Sequence, residues 1–99
     1  MKRLVNIVLL NLRGEAMNGA DGPLTLRSAC VDALLGAYQD EAALPGEEKY
    51  RRFQLATKLS SIDEVDLTAE EITQLKKLVG KAWSPLVVGR VYELLERDA

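Results

Sequence analysis

The sequence predicts an α+β protein, mostly helical, with an N-terminal β-hairpin or short sheet followed by about four helices. Three observations carry that prediction. Residues 4–12, LVNIVLLNL, are rich in β-branched and apolar side chains, the pattern of a strand. Apolar positions in residues 26–37 recur at helical spacing. Two helix starts are written in the chain, Thr68 with Glu71 three positions on, and Ser84 followed by Pro85.

Ninety-nine residues are the size of one domain, and we expect a single one over 1–99. In residues 4–12, Leu4, Val8, Leu10 and Leu12 alternate with Val5, Ile7 and Leu9. Both faces are mainly apolar, so the pattern predicts a strand covered on both sides. Gly14 offers a turn, Glu15–Met17 a stub of a second strand, and the polar Gly/Asn/Asp stretch to Pro23 a loop. The strand and hairpin together occupy about residues 1–20.

A helix over 25–38 follows, with Thr25 as N-cap and Leu26, Ala29, Cys30, Ala33, Leu34 and Ala37 on one face. The next helix, 46–60, places Glu47 and Glu48 at its start, four residues before Arg51 and Arg52. Those charges suit a solvated face. Residues 64–67 are a candidate third strand. The helix over 68–82 opens on a capping box, Thr68 with Glu71, spanned by Leu67 and Ile72 at the spacing of a hydrophobic staple. In the last helix, 84–96, Ser84 caps and Pro85 takes the first helical position, with Trp83 and Val88 repeating the staple spacing. Gly89 would let a neighbouring element approach closely.

Composition excludes several kinds of chemistry. There is no histidine and one cysteine, which removes imidazole catalysis, Cys/His zinc sites and an internal disulfide. Cys30 lies on an apolar helix face and reads as a small buried hydrophobe. The formal charge is −2, and no basic surface emerges to hold a phosphate backbone. Lys2, Arg3 and Arg13 are the only charges in residues 1–13. The middle of the chain is acidic. Adjacent carboxylates such as Glu70 with Glu71 or Asp40 with Glu41 sit at helix starts and loops, where a structural role suffices. MNGADG lacks the acidic positions of a calcium loop, and no phosphate loop or nucleophile elbow appears. We expect no enzyme, no cofactor and no metal.

The helix pair 68–82 and 84–96 has helix-turn-helix geometry in outline. A reading helix needs hydrogen-bonding side chains in its first turn, and Pro85, Leu86 and Val87 supply none. Nucleic acid is therefore not an expected partner, although a small DNA-binding regulator is the alternative function. A second alternative is an acidic inhibitor of a host enzyme, which would need its carboxylates gathered on one surface.

DGPLTLRSACVDALL, VDLTAEEITQLKKLVGK and SPLVVGRVYELLE together resemble blocks of small, uncharacterised proteins encoded by tailed bacteriophages and prophages. The resemblance covers residues 21–96. It implies a protein made in the bacterial cytoplasm, assembling with itself or virion parts, or docking on a host protein. The residues independently suggest assembly, since a strand apolar on both faces has only two short candidate strands to flank it. We therefore expect protein–protein interaction, with Ile7, Leu9, Trp83, Leu86, Val87 and Arg90 as the candidate interface. The asparagines at 6 and 11 argue against a signal peptide, and no membrane association is expected.

Overall fold

The computed structural model describes residues 1–19 and 22–97. It is a mostly helical α+β structure. In chain order the elements are β1 (Lys2–Leu4), β2 (Asn18–Gly19), β3 (Gly22–Pro23), α1 (Leu26–Leu35), a 3-10 turn at Gln39–Glu41, α2 (Gly46–Ser61), β4 (Glu64–Asp66), α3 (Ala69–Ala82) and α4 (Pro85–Glu96). Helix α1 is the hub, packed against α2, α3 and α4, and α3 also packs on α4.

Local signals explain the helix starts. The Thr25 hydroxyl accepts from the Ser28 N–H at 3.1 Å, and the Thr25 N–H donates back to Ser28 Oγ at 2.9 Å. Thr68 and Glu71 make the same reciprocal pair at 3.1 and 2.8 Å, each box satisfying otherwise orphaned N–H groups. Leu67 and Ile72 are both buried beside the second box, as a staple requires. Ser84 caps α4 by its extended backbone alone, with Pro85 in the first turn. Gly89 serves no close approach, because a Cβ there would meet nothing within 4 Å. The tight glycine is Gly80, whose Cβ would lie 3.1 Å from the Tyr92 hydroxyl. That hydroxyl donates to the Lys76 carbonyl at 2.7 Å and ties α4 to α3.

Helix α1 ends at Leu35, before the expected 38. The chain turns back after Gly36, and the Tyr38 hydroxyl donates to the Ala33 carbonyl at 2.6 Å. Ala37, expected on the apolar face, is consequently exposed.

Residues 1–11 form the spine of the sheet region. Their first part pairs antiparallel with β4, Lys2 with Asp66, Arg3 with Val65 and Leu4 with Glu64. From there the strand is irregular. It continues through single bridges, Val8 with Thr25 and Leu10 with Ala16, the latter closed by a turn at Gly14, φ 82°. The stretch before Pro23, expected as a loop, instead begins and ends in the short β2–β3 pair, Asn18 with Pro23 and Gly19 with Gly22; residues 20 and 21 between them lie outside the described residues.

The spine is covered on one face only, which corrects the expected two-sided burial. Val5 and Leu9 are 1% exposed, while Leu4 and Leu10 are 41% and 42% exposed and Leu12 86%. All four helices lie on the Val5–Leu9 side, since those two residues join one core with Leu26, Leu59, Leu75, Leu78 and Leu95. Nothing in the described residues is layered on the other side of Leu4, Leu10 and Leu12.

Candidate protein–protein interface

The backbone of the spine is satisfied along one edge. Leu67 N–H donates to Met1 C=O and Val5 N–H to Asp63 C=O, both at 2.8 Å. Further along, Arg27 N–H reaches Val5 C=O, Leu26 N–H reaches Ile7 C=O, Leu9 N–H reaches Leu24 C=O, Met17 N–H reaches Leu9 C=O, and Asn11 N–H reaches Glu15 C=O. Every spine residue in these bonds is odd-numbered. In a strand, alternate residues direct their N–H and C=O to opposite edges, so the even residues face the other way.

That second edge is open between its ends, the Lys2 carbonyl accepting from Arg3 Nη1 at 2.8 Å. Among the described residues, no hydrogen bond engages the backbone N–H or C=O of Leu4, Asn6 or Val8, nor the N–H of Leu10. The Leu10 carbonyl is taken by Arg90 Nε at 2.8 Å, and Arg90 Nη2 reaches the Asn11 carbonyl at 3.1 Å. A guanidinium from α4 thereby pins the far end of the spine. Between Ile7–Leu10 and Arg90, Glu93, Leu94 and Arg97 runs a groove of about 240 Å³. A shallow apolar surface continues past it over Leu12, Pro85, Leu86 and Gly89.

The sequence-predicted residues divide accordingly. Ile7, Leu86 and Arg90 are brought to this one side of the molecule. Leu9 and Val87 are not surface residues, being 1% and 6% exposed. Each falls on the inward side of its element, so a charge at Leu9 would test folding instead of docking. Trp83 is half-buried, its indole N–H donating to the Ala29 carbonyl at 3.0 Å, and it anchors the α3–α4 corner on α1. Sequence reasoning missed Leu4, Asn6, Leu10 and Leu12 as surface, with Val8 half-buried among them. Their even numbering was visible, but two apolar faces gave no sign of which one turns outward.

A second constellation lies under the loop after α1. Arg52, expected on a solvated face, is buried and clamps Glu41 through two bonds of 2.7 and 2.6 Å. Lys81 adds contacts of 3.0 Å to Asp40 and 3.3 Å to Glu41. The bidentate Arg52 contact pulls the Glu41 carboxyl down to about 2, with Lys81 acting in the same direction. Glu41 and Arg52 border a cavity of about 420 Å³ with Leu34, Leu44 and Lys49. Each carboxylate in it already has a cation, which is the signature of a loop clasp.

The clasp makes a pH prediction. Because Glu41 titrates lower in the folded chain than its ordinary 4.5, its stabilisation is complete above about pH 4.5 and is lost as pH falls towards 2. Chemical denaturation followed from pH 6 to 2 should show a steep loss in that window, and E41Q should flatten it. Equal slopes in both proteins would remove Glu41 from the account.

Burial pushes the Cys30 thiol up to about 12, away from thiolate chemistry. Among the described residues, no three Cys, Asp or Glu side chains converge as a metal site requires, and no helix is long and apolar enough to cross a membrane. No family model, no curated protein and no solved structure matches the chain.

Proposed function

We propose that this is a non-enzymatic, phage-type protein acting through protein–protein contact, and that the contact is made by the open edge of residues 2–10 together with the adjoining surface of α4. One observation carries the reading. The same strand presents both unpaired backbone groups at Leu4, Asn6 and Val8 and an outward row of apolar side chains, with Leu4, Leu10 and Leu12 exposed and Val8 half-buried. Exposed edges of this kind are templates for another strand, and proteins that must avoid pairing blunt them with inward charges, proline or a covering element. Here Arg3 turns inward at one end and Arg90 covers the Leu10 carbonyl at the other, while Leu4, Asn6 and Val8 between them carry neither charge nor proline.

The phage-like blocks between residues 21 and 96 supply the setting, in which the contact serves assembly or docking on a virion or host protein in the bacterial cytoplasm. The alternatives draw less support. At the start of α4, Pro85, Leu86 and Val87 offer no hydrogen bond to a base edge. An acidic mimic needs free carboxylates on one surface, whereas Asp63, Glu64, Asp66, Glu71 and Glu96 are each within 4 Å of a cation on a different element or the N-terminus.

The test is comparative. The doubly charged variant L4K/V8K should lose association, measured as solution mass and as proteins captured from a bacterial lysate, by about tenfold or more. Its melting temperature should stay close to that of the parent, because both side chains lie off the core. Association undiminished in a folded L4K/V8K would overturn the reading.

A further inference from the structure

We propose that residues 39–44 are a strap that occupies, in the free chain, a site for an acidic segment of another protein, and that Asp40 and Glu41 give way there to that segment's carboxylates. The receptors are Arg52 and Lys81. This is a second contact surface, built from other elements than the strand edge and independent of it.

The strap runs between two fixed posts. At one, the Tyr38 hydroxyl donates to the Ala33 carbonyl at 2.6 Å. At the other, the Pro45 carbonyl accepts the Glu48 and Lys49 N–H groups that open α2. Between the posts the backbone bonds stay local, Glu41 N–H to Tyr38 C=O and Leu44 N–H to Glu41 C=O, both at 3.0 Å. None of residues 39–44 is buried, and only Glu41 and Leu44 are half-buried.

Charge therefore does most of the holding. Glu41 meets Arg52 at 2.7 and 2.6 Å, and Lys81 reaches Asp40 at 3.0 Å and Glu41 at 3.3 Å. A segment with few buried apolar contacts opens locally while the core around it stays intact. Such an opening frees both carboxylates together, since Lys81 grips the two of them.

What the strap leaves behind is a receptor for carboxylate. Arg52 is only 7% exposed, yet Glu41 is the sole hydrogen-bond partner of its guanidinium among the described residues, and Nε has none. Lys49 borders the same cavity of about 420 Å³ and makes no ion pair among the described residues. With the strap lifted, Lys49, Arg52 and Lys81 face no acid of the strap. A guanidinium so deeply placed is costly to leave unpaired, so the strap departs as another carboxylate arrives.

The planar fork of Arg52 selects a bidentate carboxylate, and the strap itself shows what fits. Asp40 and Glu41 are adjacent, the small Ala42 and Ala43 follow, and Leu44 lies on the cavity wall. The incoming segment has the same order, two neighbouring carboxylates and then an apolar side chain three positions on.

The probe is a peptide copying residues 38–44, YQDEAAL, offered to the full chain as wild type and as D40N/E41Q, whose own strap no longer competes. The variant should bind the peptide at least about tenfold more tightly than the wild type, because the wild-type strap is present at high effective concentration. Binding should also raise the variant's melting temperature. The amide copy YQNQAAL should bind neither protein. A folded variant that ignores YQDEAAL, or takes YQNQAAL equally, overturns the site, and equal binding by wild type and variant overturns the strap as its occupant.

Should D40N/E41Q unfold, amide exchange of the wild type decides. Glu41 and Leu44 N–H groups whose exchange is insensitive to low denaturant mark a strap that opens by itself and support the proposal. Exchange that follows the denaturant slope of global unfolding overturns it.

Discussion

Truncating Leu75 to alanine should lower the unfolding free energy by about 2–5 kcal/mol, the range for emptying a leucine-sized site in a close-packed interior. Leu75 is 0% exposed and lies on α3, which packs on both α1 and α4. Denaturant unfolding gives the number directly, and the proper comparison is Leu35→Ala. Leu35 is a leucine near the same core but 59% exposed, and its loss should stay within about 0.5 kcal/mol. Similar losses for the two would mean that α3 is not seated where the structure places it.

The opposite change should be nearly as harmful. Replacing Ala33 by leucine keeps a good helix former and adds apolar surface, yet should destabilise by about 1–3 kcal/mol. Ala29 and Ala33 are both 0% exposed on the helix that α2, α3 and α4 all touch. Two small side chains one turn apart let those helices come close to the α1 backbone, and extra methylenes would have to push one of them away. Ala37→Leu, exposed beyond the end of α1, serves as the control and should change little. A tolerated Ala33→Leu would reveal slack in the core that Leu75→Ala should also expose.

The parts of this fold that sequence made legible are those fixed by neighbours in the chain. Thr68 and Glu71, Pro85 in the first turn of α4, and the Leu26–Ala29–Cys30–Ala33–Leu34 face all express rules linking residues a few positions apart, and the structure realises each. What was hidden depends on distant residues. Period-two alternation assigns a strand face only when one face is polar, and residues 4–12 are apolar on both. Which row turns inward was settled by the helices it meets, and Val5 with Leu9 won over Leu4 with Leu10. Arg52 read as solvated because its partner, Glu41, sits eleven positions away in a loop without any local pattern. The interface candidates suffered the same way. Ile7, Leu86 and Arg90 fell on the right elements, but Leu9 and Val87 were separated from them by orientation that only the tertiary contacts determine.

The clasp of α4 on the N-terminal spine has a consequence for the order of folding. Arg3 Nε binds the Leu95 carbonyl across 92 positions, and Arg90 holds Leu10 and Asn11 across about 80. Contacts of such long range form late, after loop-closure entropy has been overcome. During synthesis residues 2–10 leave the ribosome well before residues 85–96, so the stickiest segment of the chain waits longest for the helix that restrains it. In that interval the Leu95 and Arg90 contacts are missing, and the even edge and outward apolar row of residues 2–10 are unrestrained. Nascent chains on neighbouring ribosomes then compete for that edge, and expression level and growth temperature, more than the stability of the finished fold, should decide how much of this protein reaches it.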